Sequence, residues 1–170
     1  PPDVERAFET RLGQALLLLK QLVAKHPDVP DFLAFEARVH HKLGSFYQQT
    51  ARWADAERSF RDAIACHGRL LEQFPDTPYY SVWMATYRFA LADVLTRRGQ
   101  PAAARKELEE TIAALQAQLK QKPELNSPHD LLALGYSHLE RILRQTGEKA
   151  QADEAARNAQ MERDSARHSP

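Results

Sequence analysis

Between positions 31 and 49 the apolar residues Phe32, Phe35, Val39, Leu43, Phe46 and Tyr47 recur mostly at intervals of three and four. That spacing predicts a helix with one apolar stripe. A break at Thr50-Ala51-Arg52 follows, and a second helix is predicted over about 53–73, carrying Ala56, Phe60, Ala63, Ile64 and Leu70. Prolines then close the second helix, because Pro cannot continue the ladder and restricts the residue before it. No alternating run bounded by Asn-Gly or Asp-Gly occurs, so strands are not expected.

The pattern repeats. Pro27, Pro75 and Pro123 stand 48 residues apart, within the junctions His26-Pro27-Asp28-Val29-Pro30, Phe74-Pro75-Asp76-Thr77-Pro78 and Lys122-Pro123-Glu124-Leu125. Laid out at that period without gaps, Leu43, Leu91 and Leu139 coincide. So do Ala54, Ala102 and Ala150, and Ala56, Ala104 and Ala152. Phe46, Val94 and Ile142 share a column, as do Tyr47, Leu95 and Leu143. Ala51, Gly99 and Gly147 fall at the break between helices, where glycine suits a helix end needing positive φ. Pro101 falls just inside the following start, where a missing N–H is harmless. The small alanines allow two helices to approach closely, and Phe60 and Leu108 fill the space between units. One helical pair cannot cover both of its apolar faces, so units must stack.

Leu43-Gly44-x-x-Tyr47, followed by Ala56, Phe60 and Ala63, resembles the tetratricopeptide repeat. The family places the Leu-Gly pair and the aromatic on a first helix, and Ala, aromatic and Ala on a second. The resemblance covers residues 27 to 156, with Leu-Gly-x-x-Tyr intact in the first unit only; Leu91-Ala92 and Leu139-Glu140 replace it later. The long unit and the His-Pro-Asp-Val-Pro junction look like the extended arrays attached to bacterial multidomain Ser/Thr kinases. The resemblance implies an all-α fold, an α-α superhelix: a right-handed solenoid of antiparallel hairpins with about seven helices.

The expected divisions are 1–26, the second helix of an interrupted upstream repeat; 27–74; 75–122; and 123–170, which ends in a polar capping helix over about 149–167. Ala15, Leu16, Leu22 and Val23 align with Ala63, Ile64, Leu70 and Leu71, so the chain opens in mid-unit. Leu16 to Leu19 makes that first helix apolar nearly all round, a pattern that normally means burial on several sides. An absent upstream helix, self-association through this helix, or a native N-terminal helix would each account for it. At the other end Ala156 and Gln160 replace the larger Phe60 and Ile64, and charge accumulates, as a terminal repeat requires.

Composition removes several classes of function. The chain has 170 residues, with Lys plus Arg and Asp plus Glu both 23, so no basic excess favours nucleic acid. Its 43% hydrophobic content is too high for a disordered chain. The longest apolar run, Ala15 to Leu19, is far short of the roughly 20 residues of a membrane span. The start Pro1-Pro2-Asp3 carries no basic leader segment and no initiator Met, which suggests a piece cut from a longer protein or a processed chain. A single cysteine, Cys66, excludes an intrachain disulfide and fits a reducing cytoplasm.

Candidate chemistry is sparse. His40 and His41 diverge by about 100° on a helix, and no second histidine follows any histidine at i+4. No metal and no cofactor is therefore expected. Cys66 and His67 also diverge, with no orienting carboxylate indicated, and Ala114 shares the Cys66 column, so a buried inert thiol is expected. No P-loop, Gly-x-Ser-x-Gly or dinucleotide motif is present. No residue is offered as catalytic.

The family resemblance directs attention to a concave groove lined by the first helices. The positions facing it are Arg38, His41, Lys42, Ser45 and Gln49; then Phe89, Asp93 and Arg97; then Ser137, His138, Arg141 and Arg144. Basic residues outnumber Asp93 there, which favours an acidic or phosphorylated partner segment. Ordinary solubilising charge explains the same residues equally well. The family's carboxylate clamp is not matched, since His41, Ser45, Ala90, Leu134 and His138 occupy its positions. The expected role is a non-catalytic protein-interaction module of a larger signalling protein, binding neither nucleic acid nor membrane. The alternative is a small-molecule or lipid-sensing helical-repeat domain, with Phe89 and Tyr87 or Leu134 lining an apolar pocket.

Overall fold

A computed structural model describes residues 2–75, 77–122 and 127–168. They form seven helices: α1 (Pro2–Lys25), α2 (Pro30–Gln49), α3 (Trp53–Gln73), α4 (Pro78–Arg97), α5 (Pro101–Gln121), α6 (Ser127–Thr146) and α7 (Lys149–His168). No strand occurs among the described residues. The fold is all-α and repetitive, and α2, α3 and α7 match their predicted limits to within a residue. The third proline junction, at Pro123, lies outside the described residues.

Local chemistry explains the boundaries. Pro30 and Pro101 stand in the first turn of α2 and α5, where no amide hydrogen is required. Helices α2, α4 and α6 end alike. Ala51, Gly99 and Gly147 take positive φ of 57°, 73° and 84°. The next amide, of Arg52, Gln100 or Glu148, donates back to the carbonyl of Tyr47, Leu95 or Leu143 at 2.8–2.9 Å. The positive-φ residue's own amide donates to Gln48, Thr96 or Arg144. These paired bonds are Schellman motifs, which satisfy carbonyls that a helix end would otherwise leave without donors.

The chain divides into two compact units, Pro1–Tyr80 and Ser81–Pro170. In the first, α1 packs on α2 and α2 on α3. Ala37, Ala56, Phe60, Ala63 and Leu70 are wholly buried. Gly44 belongs to this contact: a Cβ there would come within 2.7 Å of the Phe60 ring, so only glycine lets α2 approach α3 this closely. That is the physical content of the Leu43-Gly44 pair. No described residue of α1 is buried. Leu16, Leu19, Leu22 and Val23 are half-buried, and the Phe8 ring stands 5.0 Å from that of Phe46. Leu17 and Leu18 are 64% and 57% exposed, so the apolar run is covered on one side only.

In the second unit α5 packs on α6 and α6 on α7. Tyr87, Leu91, Leu95, Leu108 and Leu132 are fully buried. Ala104 and Ala152 are as buried as Ala56, in keeping with their role at close helix approaches. Helix α7 buries Ala152, Ala155 and Ala159 and exposes Arg157, Gln160 and Arg163, giving it a polar outer side.

Each unit also ties a helix to a following turn by an ion pair. Glu9 of α1 accepts from Arg52 at 2.8 Å, and Arg105 of α5 donates to Glu148 at 2.7 Å. Both pairs span 43 residues, and their charges are exchanged.

Candidate functional site

In the first unit α2 turns Leu33, Glu36, Ala37, His40, Leu43 and Gly44 inward. The other side carries Phe35, Arg38, Lys42, Ser45 and Gln49, spaced as a helical stripe. Phe35 is 47% exposed, and the Arg38 guanidinium lies 5.5 Å above its ring. Arg38, Lys42 and Gln49 are exposed and Ser45 is half-buried. His41 is different: its ring is half-buried, 5.6 Å from that of Phe60 on α3. Burial, aided by the charge of Lys42, holds its pKa below the ordinary imidazole value.

In the second unit α4 and α6 bring three of the expected residues together. Asp93 forms an ion pair with Arg141, and its carboxylate is 3.2 Å from His138 Nδ1. Burial pushes the Asp93 pKa up, but hydrogen bonding and charge from His138 and Arg141 outweigh it, and the net shift is downward. Arg144 is held by Glu140 at 2.9 Å and by Asp153 at 3.0 Å. The positive charge on α6 is thus largely matched by acidic partners. Arg97 is exposed, and Ser137 accepts from Arg163 at 2.7 Å. Phe89 is only 3% exposed, with its ring 5.8 Å from that of His138, so it is a core side chain with little surface to offer a partner. Tyr87 is fully buried, and Leu134 is 45% exposed. Phe89, which the apolar-pocket alternative requires, and Tyr87, one of its two possible companions, are therefore committed to packing.

A further group of titratable side chains lies in the first unit. Glu36 and His40, one turn apart on α2, and Cys66 of α3 are all buried, and one ligand atom from each lies within 4.8 Å of the others. His40 Nε2 is 3.9 Å from Glu36 Oε1, and its Nδ1 is 3.6 Å from Asp62 Oδ2 on α3. Burial raises the Glu36 pKa and lowers that of His40. Burial, reinforced by the nearby Glu36, pushes the Cys66 thiol up to about 12, so the thiol is protonated and unreactive. A carboxylate does face Cys66, contrary to the sequence expectation, because Glu36 reaches it from the neighbouring helix. The signal in the sequence was a pair of i, i+4 spacings, Glu36 with His40 and Asp62 with Cys66, on two helices predicted to pair. His67, 1% exposed, packs edge-on to Tyr80, and burial lowers its pKa to about 4.

The sequence model of the tetratricopeptide repeat family matches residues 40–79, from His40 on α2 through α3 into the start of α4. This stretch contains the Gly44–Phe60 contact. With seven consecutive helices, the match supports a tetratricopeptide-like helical repeat array. Repeats of this family generally act as non-catalytic scaffolds for protein partners. No curated protein matches the chain in sequence. No helix among the described residues is long and apolar enough to cross a membrane.

Proposed function

We propose that the chain is a non-catalytic interaction module built from 48-residue units, which serves a larger cytoplasmic signalling protein by holding an acidic partner segment along its first helices. The unit length is supported by the starts of α3, α5 and α7 at Trp53, Pro101 and Lys149, each 48 residues from the last. The observation that carries the binding reading is the solvent-facing stripe of α2. There Phe35 offers an apolar contact and Arg38 and Lys42 offer cations one turn apart. A segment with an apolar residue and carboxylates to one side of it matches the stripe in chemistry. Asp93, Glu140 and Asp153 already hold Arg141 and Arg144, so α6 contributes less.

Selection of a random peptide library on the intact chain tests this. Peptides rich in Asp and Glu are expected. Their affinity should fall at least about tenfold in the Arg38→Glu/Lys42→Glu variant, with unchanged helical circular dichroism, and should weaken with salt. The Arg141→Glu/Arg144→Glu variant should lose less. Peptides without acidic character, or binding indifferent to the α2 reversal, would overturn the reading.

A further inference from the structure

The geometry points to a transition-metal site between α2 and α3, formed by Glu36, His40 and Cys66, for a divalent ion of the zinc class. Three observations converge on it. First, the ligand atoms come from two facing helices and already lie within 4.8 Å of one another. A four-coordinate zinc ion, with bonds of about 2.0–2.3 Å, needs its ligands about 3.5 Å apart, so side-chain rotations that close about an ångström bring the three protein ligands to that spacing. Second, His40 is arranged as metal-binding histidines are. Its Nε2 faces Glu36, and Asp62 stands behind Nδ1 at 3.6 Å, where a carboxylate selects the tautomer and orients the ring. Third, the group can be reached from outside: a concavity of about 360 Å³ opens onto Glu36 beside Lys20 and Arg69.

The donor set decides the class of ion. One thiolate, one imidazole and one carboxylate suit Zn²⁺ and Co²⁺, whereas Mg²⁺ and Ca²⁺ take oxygen ligands only. Cys66 must ligate as thiolate, so its proton is released to solvent as the ion enters. The carboxylates of Glu36 and Asp62 and the Cys66 thiolate carry three negative charges, which offset the two of the ion and one of the two brought by Lys20 and Arg69. Three protein ligands leave a fourth position, and the concavity beside Glu36 can supply it with water.

Titrating the untagged, reduced, full chain with Co²⁺ reads the site directly. One equivalent is expected to give a thiolate-to-cobalt charge-transfer band and the intense visible bands of a four-coordinate ion, both abolished by added Zn²⁺. Cys66→Ala, matching Ala114 of the next unit, should remove the charge-transfer band while helical circular dichroism persists. Asp62→Asn should keep the band and weaken Co²⁺ binding by about 10- to 100-fold. No charge-transfer band at saturating Co²⁺ on the folded chain would overturn the proposal, as would full-affinity binding in His40→Gln. The wild-type spectrum decides thiolate ligation even if a variant does not fold.

Discussion

At Ala51 a residue with a side chain holds a φ of 57°, where the equivalent positions hold Gly99 at 73° and Gly147 at 84°. The two hydrogen bonds of the Schellman motif are the same at all three sites, so the three helix ends differ mainly in the Cβ. In the left-handed region that Cβ costs about 1–2 kcal/mol through its clash with the following carbonyl. Glycine removes the clash but loses about 0.4–1 kcal/mol more to the entropy of the unfolded chain. Ala51→Gly is therefore expected to stabilise the protein by about 0.5–1 kcal/mol. Gly99→Ala and Gly147→Ala should destabilise it by a similar amount, since a Cβ at either site meets nothing within 4 Å and only the backbone is strained. For a chain of this length that is roughly 2–3 °C in Tm. Thermal melts followed by circular dichroism measure it. Ala65→Gly, at an exposed position inside α3, is the control and should have the opposite sign, losing about 1 kcal/mol. If Ala51→Gly melts no higher than the parent, or if Gly99→Ala and Gly147→Ala are neutral, the reasoning fails.

Three further outcomes are expected. Gly44→Ala should destabilise by about 1–3 kcal/mol in urea unfolding, because the new methyl meets the buried Phe60 ring at 2.7 Å; an unchanged midpoint would show that α2 and α3 separate freely. Cys66, with its thiol pushed up to about 12, should resist iodoacetamide near neutral pH in the native chain and react promptly in urea, as mass spectrometry would show. Asp93→Asn should cost about 1 kcal/mol near neutral pH by releasing Arg141. Asp93 has a folded pKa below the ordinary carboxylate value, so its contribution is full above the ordinary value and is lost as pH falls from there through the lower, folded one. The gap between parent and variant should accordingly narrow as pH falls below the ordinary carboxylate value, and a gap that does not narrow on acidification would sink the assignment.

The elements were legible because local signals agreed: the 3.6-residue period of α2 and α3, prolines at the starts of α2 and α5, and glycine after α4 and α6. Side-chain roles were harder to read. Helix α4 buries Tyr87, Phe89, Leu91, Ala92, Val94 and Leu95, which do not share one face, so the repeat register alone could not tell that Phe89 belongs to the core. Asp93, the partner of Arg141, lies 48 residues away, and Asp153, which holds Arg144 in addition to the local Glu140, lies 9 away; both pairings depend on how helices pack. Glu36, His40 and Cys66 converge only once the stagger of α2 against α3 is set, and the Gly44–Phe60 contact fixes that stagger.

The exchanged charges of Glu9–Arg52 and Arg105–Glu148 bear on how such an array can be edited. Backbones so alike would tolerate duplication or shuffling if only their cores mattered. A copy of α2 and α3 placed after α5 would instead set Arg52 against Arg105, and α6 and α7 placed directly after α1 would set Glu148 against Glu9. Like charges at that spacing repel, so a rearranged chain gains a penalty where the present one gains an attraction. The order of the segments is thereby written into the sign of two side-chain pairs, and recombination among them would not be silent.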